Sequence, residues 1–404
     1  MQNISKPQKS LNWTPSLFIA KAGNPHSLRQ WTHLVLPLLI LTTALTARAQ
    51  WDIEESHTTA SLRGIHNVGG GVAWASGTNG TVLRTEDGGY LWQGCATPPE
   101  AANLDFRGIQ AFDENTAIVM SSGKGDLSRL YKTTDGCRTW KLLFTNPDKE
   151  GFWDAIVFTD RQQGFVLGDP VPITEGPPSN AFAFFQTSNG GETWKALHRD
   201  RHAHHIYPAQ ADDAVFAASN SSLLVSSTYP TFVAGGPHPK LIADMPGFGN
   251  VTPDVIGDVS RPLPLAAGKS AGGFSIAEDH GKHVIVGGDY TKPDSSNRTA
   301  VFEGAVLSFF EPYTPPHGYR SAVAYDPTTK TWITVGPNGT DISRDDGRNW
   351  SPLKPTRTEP QDTDKNWNAL SLPFVVGPKG RIGKLRATAI PTAASSKEEK
   401  DKKD

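Results

Sequence analysis

Neither sign of charge predominates in this sequence. Lys and Arg number 39 against 41 Asp and Glu in 404 residues, a formal net charge of −2. The basic surplus of a nucleic-acid or anionic-membrane binder is therefore missing. Long apolar runs are scarce as well. The run from Leu34 to Leu45 falls short of the ~20 residues that span a bilayer, and no other segment comes closer. Cysteine is limited to Cys95 and Cys137, which excludes a multi-disulfide framework and leaves room for one bridge. Neither a phosphate-cradling glycine loop nor a strained nucleophile elbow occurs. The common routes to nucleotide chemistry and to serine hydrolysis are thereby closed.

What the chain has instead is a repeated word. Thr85-Glu86-Asp87-Gly88-Gly89-Tyr90-Leu91-Trp92 returns as Thr133 to Trp140, Thr187 to Trp194 and Ser343 to Trp350. An Asp or Asn stands at its third position (Asp87, Asp135, Asn189, Asp345) and Trp at its eighth (Trp92, Trp140, Trp194, Trp350). The carboxylate or amide accepts backbone N–H groups across a tight turn, and the hydroxyl two residues earlier assists. Glycine supplies positive φ. The Trp enters the outgoing strand and is expected to pack over the turn. The word resembles the Asp-box, or BNR, repeat of β-propellers, which is structural where it occurs.

Each word closes a longer unit. Openers that read apolar, polar or small, then apolar start at 62, 106, 153, 216, 274, 319 and 367. An apolar strand ending in glycine follows most of them, as in Val72 to Gly77 and Trp332 to Gly336. Such runs suit inner strands covered on both faces. The expected fold is an all-β, seven-bladed propeller of four-stranded blades. Inserts enlarge the third unit (Pro170 to Asn180) and the fifth (Tyr290 to Arg298). The seventh ends early at Gly377 to Ile382, so Trp51 to His57 is expected to supply its outer strand.

The domain reading is residues 1–49 as a signal peptide, 50–386 as the propeller and 387–404 as a disordered charged tail. Arg29 precedes the apolar run, and Ala47-Arg48-Ala49 fits a cleavage site; an uncleaved anchor is the alternative. The mature protein is expected to be exported, periplasmic or extracellular, with no transmembrane segment after cleavage. Cys95 and Cys137 are candidates for a disulfide, and two unlinked thiols are the alternative.

With these segments placed, the chain resembles the photosystem II stability/assembly factor-like β-propellers from about Trp51 to Lys384. Gly77 to Arg84 with its word, Leu130 to Gly136, Gly318 to Val323, Val335 to Gly339 and Val376 to Gly380 carry the resemblance. It implies a seven-bladed propeller that binds protein and has no established catalysis. Photosynthetic members of that family help to assemble a membrane reaction centre. A protein or peptide partner is thus expected, including a membrane protein under assembly, with no nucleic acid and no cofactor.

Propeller geometry places the residue after each opener's first position near one mouth of the central channel. That ring is Arg63, Arg107, Asp154, Ala217, Ser275, Arg320 and Asn368. Asn79, Asp169, Asp289, Asn338 and Lys379, at the ends of second strands, join it. The candidate binding face is Arg63, Arg107, Asp154, Asp169, Asp289, Arg320, Asn338 and Lys379; mutual pairing in a structural ring is the alternative. No catalytic residue is assigned. A sialidase-like or other glycan-processing or glycan-binding propeller is the second function considered, because three arginines resemble a carboxylate clasp. No Glu lies among the ring positions to activate Tyr290 or Tyr319, and the Phe-Arg-Ile-Pro start of sialidases is missing. Asp154 and Asp169 are the one carboxyl pair that a retaining glycosidase could use. His198, His202, His204 and His205 lie in an apparent loop without ligand spacing and are not assigned to a metal.

Overall fold

Four words of the same spelling make four turns of the same geometry. Thr85 Oγ1 donates to Asp87 Oδ1 at 2.8 Å and accepts the Gly89 N–H at 3.0 Å, while Asp87 Oδ1 accepts the Leu91 N–H at 3.0 Å. The Cys137 and Thr139 amides repeat the pattern on Thr133 and Asp135, both at 3.0 Å. Gly191 and Thr193 do so on Thr187 and Asn189, also at 3.0 Å. Gly347 and Asn349 do so on Ser343 and Asp345, at 3.0 and 2.9 Å. Each word thus satisfies two of its own amides from its own side chains, while Gly88, Gly136 and Gly190 donate to Gly71, Asn115 and Gln162 of a neighbouring hairpin.

The tryptophans do more than cover these turns, although Trp194 does bond its own turn, Nε1 donating to the Gly191 carbonyl at 3.0 Å. Trp92 packs edge-on against Phe374, 5.5 Å between ring centroids. Trp140 donates from Nε1 to the Ala96 carbonyl at 2.8 Å, and Trp194 stacks on Phe144 at 6.2 Å. Trp350 is buried with Val284 and Val286. In every case the ring reaches the sheet that precedes its own, so the word fastens a seam between sheets as well as a turn.

The computed structural model describes residues 50–173, 179–199, 206–210, 212–226, 229–246, 256–305, 308–355 and 360–390. The strands are β1 (Trp51–Glu54), β2 (Leu62–Gly69), β3 (Val72–Gly77), β4 (Val82–Thr85), β5 (Gln93–Gly94), β6 (Phe106–Ala111), β7 (Ala117–Ser121), β8 (Arg129–Thr133) and β9 (Lys141–Thr145). They continue as β10 (Trp153–Phe158), β11 (Gly164–Ile173), β12 (Ser179–Thr187), β13 (Lys195–Ala196), β14 (Pro208–Ala209), β15 (Leu223–Ser226), β16 (Tyr229–Gly236), β17 (Lys240–Pro246) and β18 (Ile256–Pro262). The remainder are β19 (Gly268–Asp279), β20 (Lys282–Asp289), β21 (Ala300–Ala305), β22 (Ser308–Phe310), β23 (Ala322–Asp326), β24 (Thr331–Gly336), β25 (Gly339–Ser343), β26 (Ser351–Pro352), β27 (Ala369–Ser371), β28 (Phe374–Val376) and β29 (Ile382–Leu385).

The result is an all-β, propeller-like molecule. Among the described residues the strands form six hydrogen-bonded sheets rather than seven. Three are the meanders β2–β5, β6–β9 and β23–β26. A fourth is β10–β13 with β14 added to β12, and a fifth joins β15–β18 to β19–β22 through β16 and β19. The sixth runs β1-β29-β28-β27, so the first strand of the described chain closes the last sheet, Trp51 opposite Leu385 and Glu54 opposite Ile382. The merger of two meanders has a local cause. Gly235 and Gly236 pair with Gly272 and Gly268 across the seam, and four glycines let two backbones meet where side chains would hold them apart.

Further elements depart from the expected layout. The third-unit insert is not simply a loop, because Pro170 to Ile173 and Ser179 to Phe182 pair as extensions of β11 and β12. Phe216 does not open an inner strand; the innermost strand there is β15, and residues 216–222 form a loop before it. Ile390 is 2% exposed and packs with Trp51 and Trp367, so the packed body runs past residue 386. Residues 1–49 and 391–404, and the histidines 202, 204 and 205, lie outside the described residues. His198 is buried; its Nδ1 accepts the Phe184 N–H at 3.1 Å and its Nε2 lies 3.3 Å from Asp148 Oδ2. A disulfide joins Cys95, just after β5, to Cys137 in the turn after β8. No helix among the described residues is long and apolar enough to cross a membrane.

Candidate functional site

Four of the innermost strands bend at equivalent places. Register shifts fall between Leu62 and Gly64, Phe106 and Gly108, Trp153 and Ala155, and Gly273 and Ser275. A bulge leaves its extra residue unpaired and re-aims the side chain. The bulged residues are Arg63, Arg107, Asp154 and Phe274. Ser321 and Asn368 hold the matching position before β23 and β27, and Ala214 the one bridged to Gly235. All of them line one cavity of about 590 Å³.

The expected ring is therefore met at Arg63, Arg107, Asp154 and Asn368, and Asp169 lines the same cavity. It is displaced elsewhere. Phe274 lines the cavity in place of Ser275, and Ser321 in place of Arg320. Ala217 does line it, but from the loop. Arg320 is 0% exposed. It sits one residue too early and points between sheets, where Nε donates to Asp341 Oδ2 at 2.9 Å and Nη2 also meets that oxygen. Asn338 is drawn the same way, bonded to Arg320 and to the Pro293 carbonyl. Asp289 accepts the hydroxyls of Ser270 at 2.8 Å and Thr291 at 2.7 Å. The Thr291 hydroxyl above all holds its carboxyl well below the usual range. Lys379 lines a separate cleft with Glu55 and Asp362. These four residues do not line the cavity, and Arg320 and Asn338 border a separate one with Thr340 and Asp364.

One wall of the cavity is charged. Asp105, overlooked in the sequence although it directly precedes an opener, sits between the two arginines. Arg107 Nε donates to its Oδ2 at 2.8 Å, and Arg63 Nε lies 3.3 Å from its Oδ1. Burial pushes the Arg63 guanidinium down, opposed by Asp105. Asp154 is 1% exposed, and its Oδ2 has no hydrogen-bond partner. Burial first, then the neighbouring Asp169, drive its carboxyl well above the ordinary range, against Arg107. Burial also pushes Asp169 up to about 6, against the Val215 N–H that its Oδ1 accepts at 2.9 Å. The opposite wall is aromatic. Phe216 and Phe274 stack at 4.0 Å with 4° between planes, and Tyr290 meets both edge-on at 6.3 and 6.2 Å.

The loop 216–222 closes the channel beneath. Asn220, at φ 61°, accepts the Ile156 N–H at 2.8 Å and donates to the Ile156 carbonyl at 3.0 Å. Ser219 donates to the Ser321 carbonyl at 2.7 Å, and Ser221 lies 2.7 Å from the Ser275 hydroxyl. Ile156 and Ser275 are further along the same strands than Asp154 and Phe274, so these bonds run below the cavity. The cavity is a cup with a floor.

The buried carboxyls set a pH dependence. Asp364 is pushed up to about 7 by burial, against the Thr340 hydroxyl. With Asp154 and Asp169 it binds protons in the folded state that the unfolded chain has released. Folded stability is thus greatest below about pH 4 for these groups and falls as pH rises through 6 to 7. Denaturant titrations at pH 5 and pH 7.5 are expected to show lower stability at the higher pH. Asp169→Asn/Asp364→Asn is expected to flatten the difference by a few kcal/mol, because each tenfold change in proton affinity on folding is worth ~1.4 kcal/mol. An equal or steeper slope in that variant would contradict the assignment.

No protein-family model matches the chain, and no curated protein matches it in sequence. Solved structures do. A structure of YCF48 bound to D1 peptide superimposes with a TM-score of 0.57 at 16% identity, over 83% of this chain and 96% of that one. The chain has a YCF48-like β-propeller fold. YCF48 from Cyanidioschyzon merolae aligns over 84% of this chain and 99% of that one, at 20% identity and a TM-score of 0.49. The extracellular domain of the putative one-component system BT4673 from B. thetaiotaomicron aligns at 0.54 and 11% identity, over 83% of this chain and 40% of that one. At these identities the likeness is one of fold.

Proposed function

We propose that this chain is an exported, non-catalytic propeller of seven blades that binds a protein or peptide segment at the cup. The eight-stranded sheet counts as two blades, β15–β18 and β19–β22, and the repeated word is an Asp-box. The leader-like residues 1–49 and the Cys95–Cys137 bridge support an oxidising destination, the periplasm or the cell exterior. The observation that carries the binding role is the cup itself. Its volume lies within the usual ~300–1,000 Å³ of ligand sites, and apolar walls with a few convergent charged groups are typical of them. The solved YCF48 complex contains a D1 peptide. By analogy the partner is a peptide segment of another protein, including a membrane protein under assembly.

The test is retention of a partner from the native envelope fraction by the full chain and by Arg63→Gln/Arg107→Gln. Glutamine avoids placing new carboxylates beside Asp105. A discrete protein held by the wild type and reduced more than about ten-fold by the folded variant is expected, since truncating a charged contact costs ~2–5 kcal/mol. Equal retention by both, or by neither, sinks the reading.

A glycan-processing propeller has one observation in its favour, the raised carboxyls of Asp154 and Asp169 in one cavity. Against it, Asp154 is sealed from solvent. Hydrolysis of aryl glycosides that disappears in Asp169→Asn would reinstate it.

A further inference from the structure

We propose that the cup is a socket for one aromatic side chain of the bound peptide, with an acidic residue beside it. This rests on the peptide-binding reading above and names the ligand chemistry. The floor carries the first part of the argument. Because the loop 216–222 is bonded across the channel to Ile156, Ser275 and Ser321, no strand can thread through. What enters is a side chain or an end.

The walls carry the second part. Tyr290 is 51% exposed and Phe216 half-buried, while Phe274 and Tyr319 back them. A ring inserted against Phe216 and Tyr290 finds a stacked face on one side and an edge on the other, the geometries aromatic pairs favour. Aromatic anchors filling desolvated pockets are also the usual hot spots of interfaces. The charge carries the third part. Arg63, Arg107 and Lys269 line the cup; Asp105, paired with both arginines, answers only part of that charge, and burial works against ionisation of Asp154 and Asp169. An acidic residue beside the anchor matches the positive charge that remains.

The probe is a displayed library of random heptapeptides, selected on the wild-type full chain, on Tyr290→Ser and on Phe216→Ser. Tyr290 lies at the rim, so its variant tests the wall even if Phe216→Ser fails to fold. Peptides recovered on the wild type are expected to be enriched about five-fold in Phe, Tyr or Trp adjacent to Asp or Glu. That enrichment is expected to vanish on Tyr290→Ser. Recovery of peptides without aromatic enrichment, or with enrichment that survives the substitution, overturns the socket and leaves the peptide-binding reading standing. Recovery of no peptide above background overturns both.

Discussion

Arg320→Ala is expected to lower stability by about 3–5 kcal/mol, the usual cost of breaking a buried ion pair from one side. Arg320 and Asp341 are both fully buried, and Asp341 also accepts the His317 N–H at 3.0 Å. Removing the guanidinium leaves the carboxylate without its main partner in a place water does not reach. Adding Asp341→Asn to Arg320→Ala is expected to recover part of the loss, since the uncompensated charge disappears. Urea titrations of the four proteins close that cycle. The same variants separate this residue from the cup. At a temperature where Arg320→Ala is folded, its retention of partner is expected to match the wild type. A cost below about 1 kcal/mol, or loss of binding by a folded variant, would return Arg320 to the binding face.

The displacement of Arg320 shows where sequence pattern stops being enough. Aromatic openers align Phe274 with Leu62 and Tyr319 with Leu62, one residue out in each case. The better anchor is the glycine that ends the second strand. A Cβ on Gly77 would lie 2.4 Å from the Ser61 carbonyl, on Gly336 2.4 Å from that of Tyr319, and on Gly287 1.9 Å from that of Gly272. Those close approaches fix the register, and counting from them makes Arg63, Ser321 and Phe274 equivalent. The units whose openers begin at Leu62, Trp153 and Trp367 are in register on either count, and the second unit, with Ser121 in place of the glycine, pairs it directly with Phe106; these four supply Arg63, Asp154, Asn368 and Arg107 to the cup. The turns are legible because the hydroxyl and the Asp or Asn of each word bond amides within the word. The destination of the tryptophans, the merger of two meanders through Gly235 and Gly272, and the loop that floors the cup depend on contacts between distant segments. No local pattern encodes those.

Loss of the Cys95–Cys137 bridge is expected to cost about 4 kcal/mol, from the chain entropy released across a sequence separation of 42 residues. The bridge ties the end of the first meander to the turn of the second, a seam otherwise held by Trp140 and the core around Trp74 and Phe106. Cys137 occupies the place that Gly89, Gly191 and Gly347 hold in the other words, and it does so at φ 61°. A side chain there costs ~1 kcal/mol against glycine, which the cross-link outweighs. The choice of replacement is therefore informative. Cys95→Ala/Cys137→Gly is expected to lose about 1 kcal/mol less than Cys95→Ala/Cys137→Ala. Equal losses would mean that the turn is unstrained. The bridge also bears on compartment, because structural disulfides persist only where the surroundings are oxidising. Thiol trapping of the protein in its native cells is expected to find both cysteines blocked. Free thiols there would remove the bridge as support for export and leave that proposal resting on residues 1–49 alone.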